Sequence, residues 1–359
     1  MASPTKVRVA VIGYGVIGKR VADAVRLQSD MVLAGVADVA SGWRLEVAVE
    51  KGLRVFGATT PSAVAMRAAG IEVSGEFGDL LAEADIVVDC TPKHIAATNI
   101  EAYRKLDLKF IVQGGEKHAV TGHSFVAESS YAGAIGRQST RVVSCNTTSI
   151  VRTLTALKRV GLLRHARGTL LRRATDPWES HETGIMNTLV PEPTIPSHQG
   201  PDAKSADPDL DVVTMAVKVP ETLGHLHFWN VQMTRAAGKE EVLDAFRASS
   251  RIVLVRGDNG LNALNSIKEW MLDIGRPHGD LYEVALWANM LTVQGDELFY
   301  AYMVDNQAIV IPETIDAIRA LSDRESGAEA SISATNAALG IGSLSASRPP
   351  NPNAEQDRP

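Results

Sequence analysis

Cys145 lies in Val142-Val143-Ser144-Cys145-Asn146-Thr147-Thr148, where an apolar run ends and helical spacing begins at about Thr147. A cysteine at a helix N-terminus is drawn toward thiolate by the positive end of the helix dipole. Thiolate is the form that attacks a carbonyl carbon. Asn146, Thr147 and Thr148 supply caps and anion-binding donors. A lone cysteine is most often a buried structural residue, but the polar residues around this one favour a nucleophile. Cys90, within Val87-Val88-Asp89-Cys90-Thr91-Pro92, has no comparable base or cap and reads as structural.

Gly13-Tyr14-Gly15-Val16-Ile17-Gly18 follows the Val/Ile-rich run 6–12 and precedes helical spacing from Lys19 to Leu27. In a dinucleotide-binding loop Gly13 allows the tight turn, Gly15 lets backbone approach a pyrophosphate, and Gly18 lets helix and strand pack closely. The phosphates then meet unpaired N–H groups at the helix start. A plain strand-to-helix turn is the bland alternative, and the strand–loop–helix context argues against it. Asp38 ends the second apolar run, 20 residues after Gly18. An acid there accepts hydrogen bonds from the ribose hydroxyls of NAD and repels the 2′-phosphate of NADP. A solvated Asp opening a loop is about as common a reading, and Arg44 stands near enough in sequence to offset the charge.

A thiolate beside a dinucleotide implies a specific reaction. The sulfur adds to an aldehyde, hydride leaves to the nicotinamide, and a second nucleophile resolves the thioester. A base is expected to assist. His225 and His227 flank Leu226 on a predicted strand. We expect their rings on opposite faces, so that at most one faces Cys145. Arg172 and Arg173 form a pair suited to phosphate, with planar, multiply donating guanidiniums. Adjacent strand residues face opposite ways, so one of them would serve a cofactor or a neighbouring subunit. An ion pair with Asp176 or Glu179 is the plainer alternative. Ser197-His198-Gln199-Gly200 offer further donors.

These residues need elements to hold them. The chain has 359 residues, enough for two domains with large cores. Hydrophobic residues make up 45% and charged residues 22%, which excludes collagen-like, disulfide-scaffold and wholly disordered classes. The net charge of −6 gives no footprint for nucleic acid or an anionic membrane. No apolar stretch approaches the ~20 residues that span a bilayer. The N-terminal residues MASPTKVRVAVIG do not read as a signal peptide. Two cysteines are too few for a disulfide framework, and a cytoplasmic protein with reduced thiols is expected.

Apolar runs at 6–12, 31–37, 84–90, 109–115 and 141–145 alternate with helical stretches, which predicts a parallel sheet of βαβ units. The second half has strand character at 166–174, 211–220, 225–234, 251–256, 280–287, 289–295 and 297–304. Few helices separate these runs, so a mixed or antiparallel sheet and an α+β domain are expected. Helical patterns cover 147–161, 240–249 and 312–321. The Pro/Asp/Ser-rich residues 191–209 read as a long ordered loop, and 343–359 as a disordered tail. No internal repeat is found.

Together these residues resemble the archaeal-type (class II) phosphorylating glyceraldehyde-3-phosphate dehydrogenases. The similar stretches are GYGVIGKRVADAV (13–25), GGEKH (114–118), VVSCNTTS (142–149), LLRRATDP (170–177), PSHQGPD (196–202), MAVKVPETLGHLH (215–227), DIGRPHGDLYEV (273–284) and VIPETIDAIRAL (310–321). They keep family order to about residue 342. The resemblance implies a Rossmann domain over 1–144, a catalytic domain over 145–305, and a C-terminal helical segment over 306–342 that returns to the first domain. It implies a homotetramer acting on D-glyceraldehyde 3-phosphate, inorganic phosphate and NAD or NADP, with no metal. It makes Cys145 the nucleophile and His225 the base, with Ser144, Asn146, Thr147, Arg172, His198 and Gln199 on the substrate side. Gly13, Gly15, Val16, Ile17, Gly18, Asp38, Gly115, Arg173 and Asn306 match cofactor-side positions.

The departures cluster near substrate and cofactor. Ala37-Asp38 replaces the family's frequent Thr-Lys and argues for NAD. Gln199 replaces a second His, Asn306 a Gln, and Val88-Asp89-Cys90-Thr91-Pro92-Lys93-His94 a VDATPGG-like stretch. The alternative reading is a related thioester-forming dehydrogenase for another phosphorylated, phosphonylated or semialdehyde substrate. A cofactor-binding protein that has lost catalysis is a third, and Cys145 with its polar neighbours argues against it.

Overall fold

The computed structural model describes residues 6–113, 115–179, 185–324 and 327–342. The first sheet contains β1 (Val7–Ile12), β2 (Met31–Asp38), β3 (Val55–Gly57), β4 (Gly75–Glu76), β5 (Ile86–Asp89), β6 (Lys109–Val112), β7 (Ser124–Phe125) and β8 (Ser139–Val142). Its order is β4-β3-β2-β1-β5-β6-β8-β7, and every pairing is parallel. Val7, Val9 and Val11 of β1 enter one apolar cluster while Ala10 and Ile12 enter another. Both faces are thus covered, which is why these strands read as continuous apolar runs. Helices α1 (Val16–Arg26), α2 (Trp43–Glu50), α3 (Thr60–Ala68), α4 (Phe77–Ala82), α5 (Ile95–Lys105) and α6 (Ala127–Ser130) lie between the strands. The strand order reverses between β1 and β5, and open parallel sheets take ligands at the carboxyl ends of such a switch point.

The chain crosses to its second half through α7 (Cys145–Arg159). There the strands are β9 (Leu163–Arg173), β10 (Val190–Pro191), β11 (Val212–Val219), β12 (His225–Met233), β13 (Ile252–Val255), β14 (Val284–Trp287), β15 (Thr292–Gln294) and β16 (Glu297–Val304). The order is β10-β11-β9-β12-β16-β14-β13, with β15 on β16. β9 runs parallel to β11 and antiparallel to β12, so the sheet is mixed, as the sequence suggested. Helices α8 (Gln199–Ala206), α9 (Lys239–Arg247), α10 (Leu264–Asp273), α11 (Val310–Leu321) and α12 (Ala328–Leu339) complete the second half.

α11 is buried along its whole length and returns to the first sheet. Arg319 pairs with Asp30 at 2.8 Å and donates to Gln28 at 2.8 Å. Arg20 of α1 pairs with Asp280 at 2.9 Å and donates to Gln307 at 3.0 Å. Deeper in, Arg152 of α7 meets Glu313 at 2.6 Å, and Arg251 meets the same carboxylate at 3.0 Å.

Several expectations need correction. Residues 191–209 are not one loop, because Gln199–Ala206 is helical. Pro201 and Asp202 sit in its first turn, where Pro lacks nothing it needs and Asp faces the positive dipole end. The strand expected at 280–287 begins only at Val284, and that at 289–295 shrinks to Thr292–Gln294. The two short strands β3 and β4 at one side of the first sheet and the helices α10 and α12 were not anticipated. The expected tail at 343–359 lies outside the described residues.

Candidate active site

Ser144 ends the connection from β8 in extended conformation and caps α7, its Oγ accepting the Thr147 N–H at 3.3 Å. Helix α7 therefore begins at Cys145 itself, two residues before the expected Thr147. The Cys145 Sγ lies 3.3 Å from His225 Nε2, and the Asn146 side-chain amide donates toward the sulfur at 3.8 Å. His225 opens β12, whose neighbour β9 brings Arg172 and Arg173 alongside. The Arg173 backbone N–H donates to His225 Nδ1 at 3.0 Å.

The expectation that the two histidines face apart is wrong. Residues two apart on a strand share a face. His225, His227 and Trp229 are all buried on the inner face, and the two imidazoles stack 6.4 Å apart. Only His225 reaches the sulfur. His227 Nε2 lies 2.9 Å from Asn146 Oδ1, and its Nδ1 lies 3.0 Å from the Tyr302 hydroxyl. Burial and Arg172 push the His227 imidazole down to about 3. Burial, His227, Arg173 and Arg172 hold His225 well below its ordinary value.

The expected depression of the Cys145 thiol is not met in the free protein. Burial pushes it up, and Arg173, the Asn146 backbone N–H and Arg172 pull it back only in part. Burial likewise pushes the Cys90 thiol well up, with the Asp89 carboxylate adding to it.

Beyond the sulfur, Glu192 gathers three of the candidate residues. Its carboxylate accepts from Arg172, from Gln199 at 3.3 Å and faces His198 Nδ1 at 3.0 Å. The Gln199 Oε1 and the Arg172 Nε are buried and find no partner among the described residues. Thr147 donates to Asp202 at 2.7 Å, and Asp202 pairs with Arg141 at 2.6 Å. A cavity of about 600 Å³ opens beside Ser144, lined by Lys93, Gly115, Lys117, Arg141, His198 and Asp202 among others. Asp176 accepts from Arg173 at 3.2 Å and from Asn306 at 3.0 Å, which brings those two candidates together. Arg173 therefore has the ion pair that the plainer reading offered. Glu192, Asp202 and Tyr302 were not singled out in the sequence, since isolated acids and a strand tyrosine carry no motif. They contact Arg172, Thr147 and His227 across at least twenty residues of chain.

The glycine loop sits at the carboxyl ends of β1 and β5. Gly13 has φ +86, and a Cβ there would lie 3.0 Å from the Cys90 carbonyl. A Cβ on Gly18 would fall 1.8 Å from the Gly13 oxygen. Gly15 has open space where its side chain would point and starts α1 with no side chain capping it. Val16 and Ile17 form the first turn. This uncapped helix start beneath a tight glycine turn fits a dinucleotide pyrophosphate. Asp38 accepts the Tyr14 N–H at 2.6 Å and the Ala40 N–H at 2.9 Å, so its charge is fixed at the edge of that loop.

Comparison with known proteins places both halves. The model of the glyceraldehyde 3-phosphate dehydrogenase C-terminal domain matches residues 144–268. The model of the dihydrodipicolinate reductase N-terminus matches residues 7–115. A glyceraldehyde-3-phosphate dehydrogenase of Methanococcoides burtonii is 44% identical over 94% of this chain and all of its own length. That of Methanobrevibacter smithii is 43% identical over 93% of this chain and 99% of its own, and that of Metallosphaera sedula 42% over 94% and 98%.

Proposed function

This chain belongs to the archaeal-type glyceraldehyde-3-phosphate dehydrogenase family, and we propose that Cys145 and His225 carry its chemistry. The protein is an NAD(P)-dependent oxidoreductase that oxidises D-glyceraldehyde 3-phosphate to 1,3-bisphosphoglycerate with inorganic phosphate. The observation that carries the residue assignment is the Sγ–Nε2 approach of 3.3 Å at the first residue of α7. The sulfur attacks the aldehyde carbon, and the acyl group rests on it as a thioester until phosphate takes it. His225 is the acid–base partner of the sulfur and of the oxygen formed next to it. The nicotinamide, when bound, supplies the hydride acceptor. Arg172, His198 and Gln199 hold phosphate groups, and Ser144, Asn146 and Thr147 line the reacting end. Gly13, Gly15, Val16, Ile17 and Gly18 cradle the pyrophosphate. Gly115, Arg173 and Asn306 stand toward the nicotinamide end. Asp38 favours NAD over NADP.

Replacing Cys145 by Ser should abolish NADH formation and leave NAD binding intact. Full turnover in that variant rejects the assignment. A second reading, favoured by the hold of Glu192 on Arg172, His198 and Gln199, is that another phosphorylated, phosphonylated or semialdehyde substrate is preferred. A panel of aldehydes assayed with and without phosphate separates the two. We place the enzyme in the cytoplasm on its two free cysteines. We assign it a homotetramer, because the outer face of the second sheet exposes Met215, Phe228 and Met290 around one hollow.

A further inference from the structure

We infer that Glu192 is a specificity-determining residue: with its carboxylate on Arg172, His198 and Gln199, the pocket binds a phosphate group together with one proton, shared between that group and Glu192. This rests on the reading that Arg172, His198 and Gln199 hold phosphate, and it names the ionic form they take.

The three side chains assigned to phosphate all turn to one carboxylate. Arg172 donates to Glu192, the Gln199 amide donates to it at 3.3 Å, and His198 Nδ1 lies 3.0 Å from it. An ionised carboxylate only accepts, so a neutral His198 carries its proton on Nδ1 and leaves Nε2 bare. The Gln199 Oε1 is a further acceptor, buried and with no partner among the described residues. A fully ionised phosphate also only accepts. It meets the Arg172 charge already matched, donors already engaged, and a negative neighbour. When two anions share a site, one of them keeps a proton to higher pH. A phosphate with one hydrogen left gives it to Glu192 in a charge-assisted bond and turns its other oxygens to Arg172.

Glu192 is anchored where it stands. Its N–H donates to the Ala216 carbonyl at 2.9 Å, next to the β10 pairing of Val190 with Lys218 and Pro191 with Val217. Moving its backbone away from the pocket breaks that hydrogen bond. Its side chain is 16% exposed against 62% for His198, so the carboxylate lies deeper than the imidazole that lines the cavity beside Ser144.

The charged groups around the carboxylate come from both sides. Arg172 faces it from β9, and His198 from the residue before α8. Burial, then Arg172 and Lys93, hold the His198 imidazole below its ordinary value, and Asp202 of α8 offsets only part of this. His198 is therefore neutral above about pH 7. Cys145 and Arg173 also act on Arg172. Lys93 and Lys117 line the cavity and draw anions in, but among the described residues neither pairs with Glu192.

The test counts the proton. Titration calorimetry at about pH 8, in buffers of different ionisation enthalpy, gives the protons taken up per ligand bound. The probes are glycerol 3-phosphate, an unreactive alcohol counterpart of the substrate, and inorganic phosphate. A phosphate ester has its second pKa at about 6 and is a dianion under these conditions. The unmodified enzyme should take up about one proton with one probe or both, and its affinity should fall about tenfold per pH unit above neutrality. The probe that behaves so is the one this pocket serves. Glu192→Gln should bind that probe without uptake, with a flat pH profile, and about tenfold tighter at about pH 8. No uptake by the unmodified enzyme with either probe overturns the inference. Uptake that persists in Glu192→Gln overturns it too, because the proton then belongs to another group such as His198. Binding undiminished in Arg172→Met would instead overturn the placing of phosphate at Arg172, whatever the proton count.

Discussion

At the residue scale, opposing influences meet on Cys145. The start of α7, Arg172 and Arg173 favour thiolate, while burial opposes it and prevails. Since only thiolate reacts, alkylation of Cys145 by iodoacetamide should rise with pH through and beyond the ordinary thiol value near ~8.5. Arg173→Ala should move the rise to still higher pH, because a cation that favours the charged form is gone. A rate that is flat from neutral pH upward would show that the sulfur is already ionised. Asp38 spends backbone contacts on both carboxylate oxygens and keeps its charge beside the glycine loop. Asp38→Ala should raise the NADP-to-NAD ratio of kcat/KM by about tenfold, ~1.4 kcal/mol of relieved repulsion. An unmodified enzyme that already prefers NADP would refute the argument.

At the element scale, α11 joins the two halves through charge as well as hydrocarbon. Glu313 is fully buried and accepts from Arg152 and Arg251 at once, and from the Ala127 N–H at 2.6 Å. Those two guanidiniums and the peptide depress its carboxyl despite burial. Glu313→Ala leaves two buried cations with one counter-charge removed, which costs about 3–5 kcal/mol. Denaturant unfolding measures it, and a change under about 1 kcal/mol would mean the arginines find other partners. The elements that sequence reasoning located share a strong period. Val7 to Ile12 is apolar on both sides because the parallel sheet is covered on both faces. Gln199–Ala206 was missed because its glycine, proline and aspartate mark a loop and a helical first turn alike. Only packing against β11 decides between them, through Gly200, whose N–H donates to Thr214 at 2.9 Å.

At the scale of the whole molecule, β12 serves two surfaces. Its inner residues His225 and His227 face the site, and Phe228 between His227 and Trp229 turns outward and is 40% exposed. With Met215 at 44% and Met290 at 45%, it marks an apolar hollow on the second sheet. Sedimentation should give about four times the 38.4 kDa chain mass, and Phe228→Glu should shift it to smaller species. A wild-type monomer would refute the assembly. The sequence by itself determined the parallel sheet, the glycine turn, the mixed second sheet and the candidate sulfur, because strand period, turn chemistry and helix starts are local properties. It did not determine which histidine meets Cys145, that Glu192 holds Arg172, or which ring nitrogen is capped. Those depend on how β9, β12, α7 and the stretch carrying Glu192 lie beside one another, and contacts across twenty to eighty residues of chain leave no periodic trace in the order of the residues.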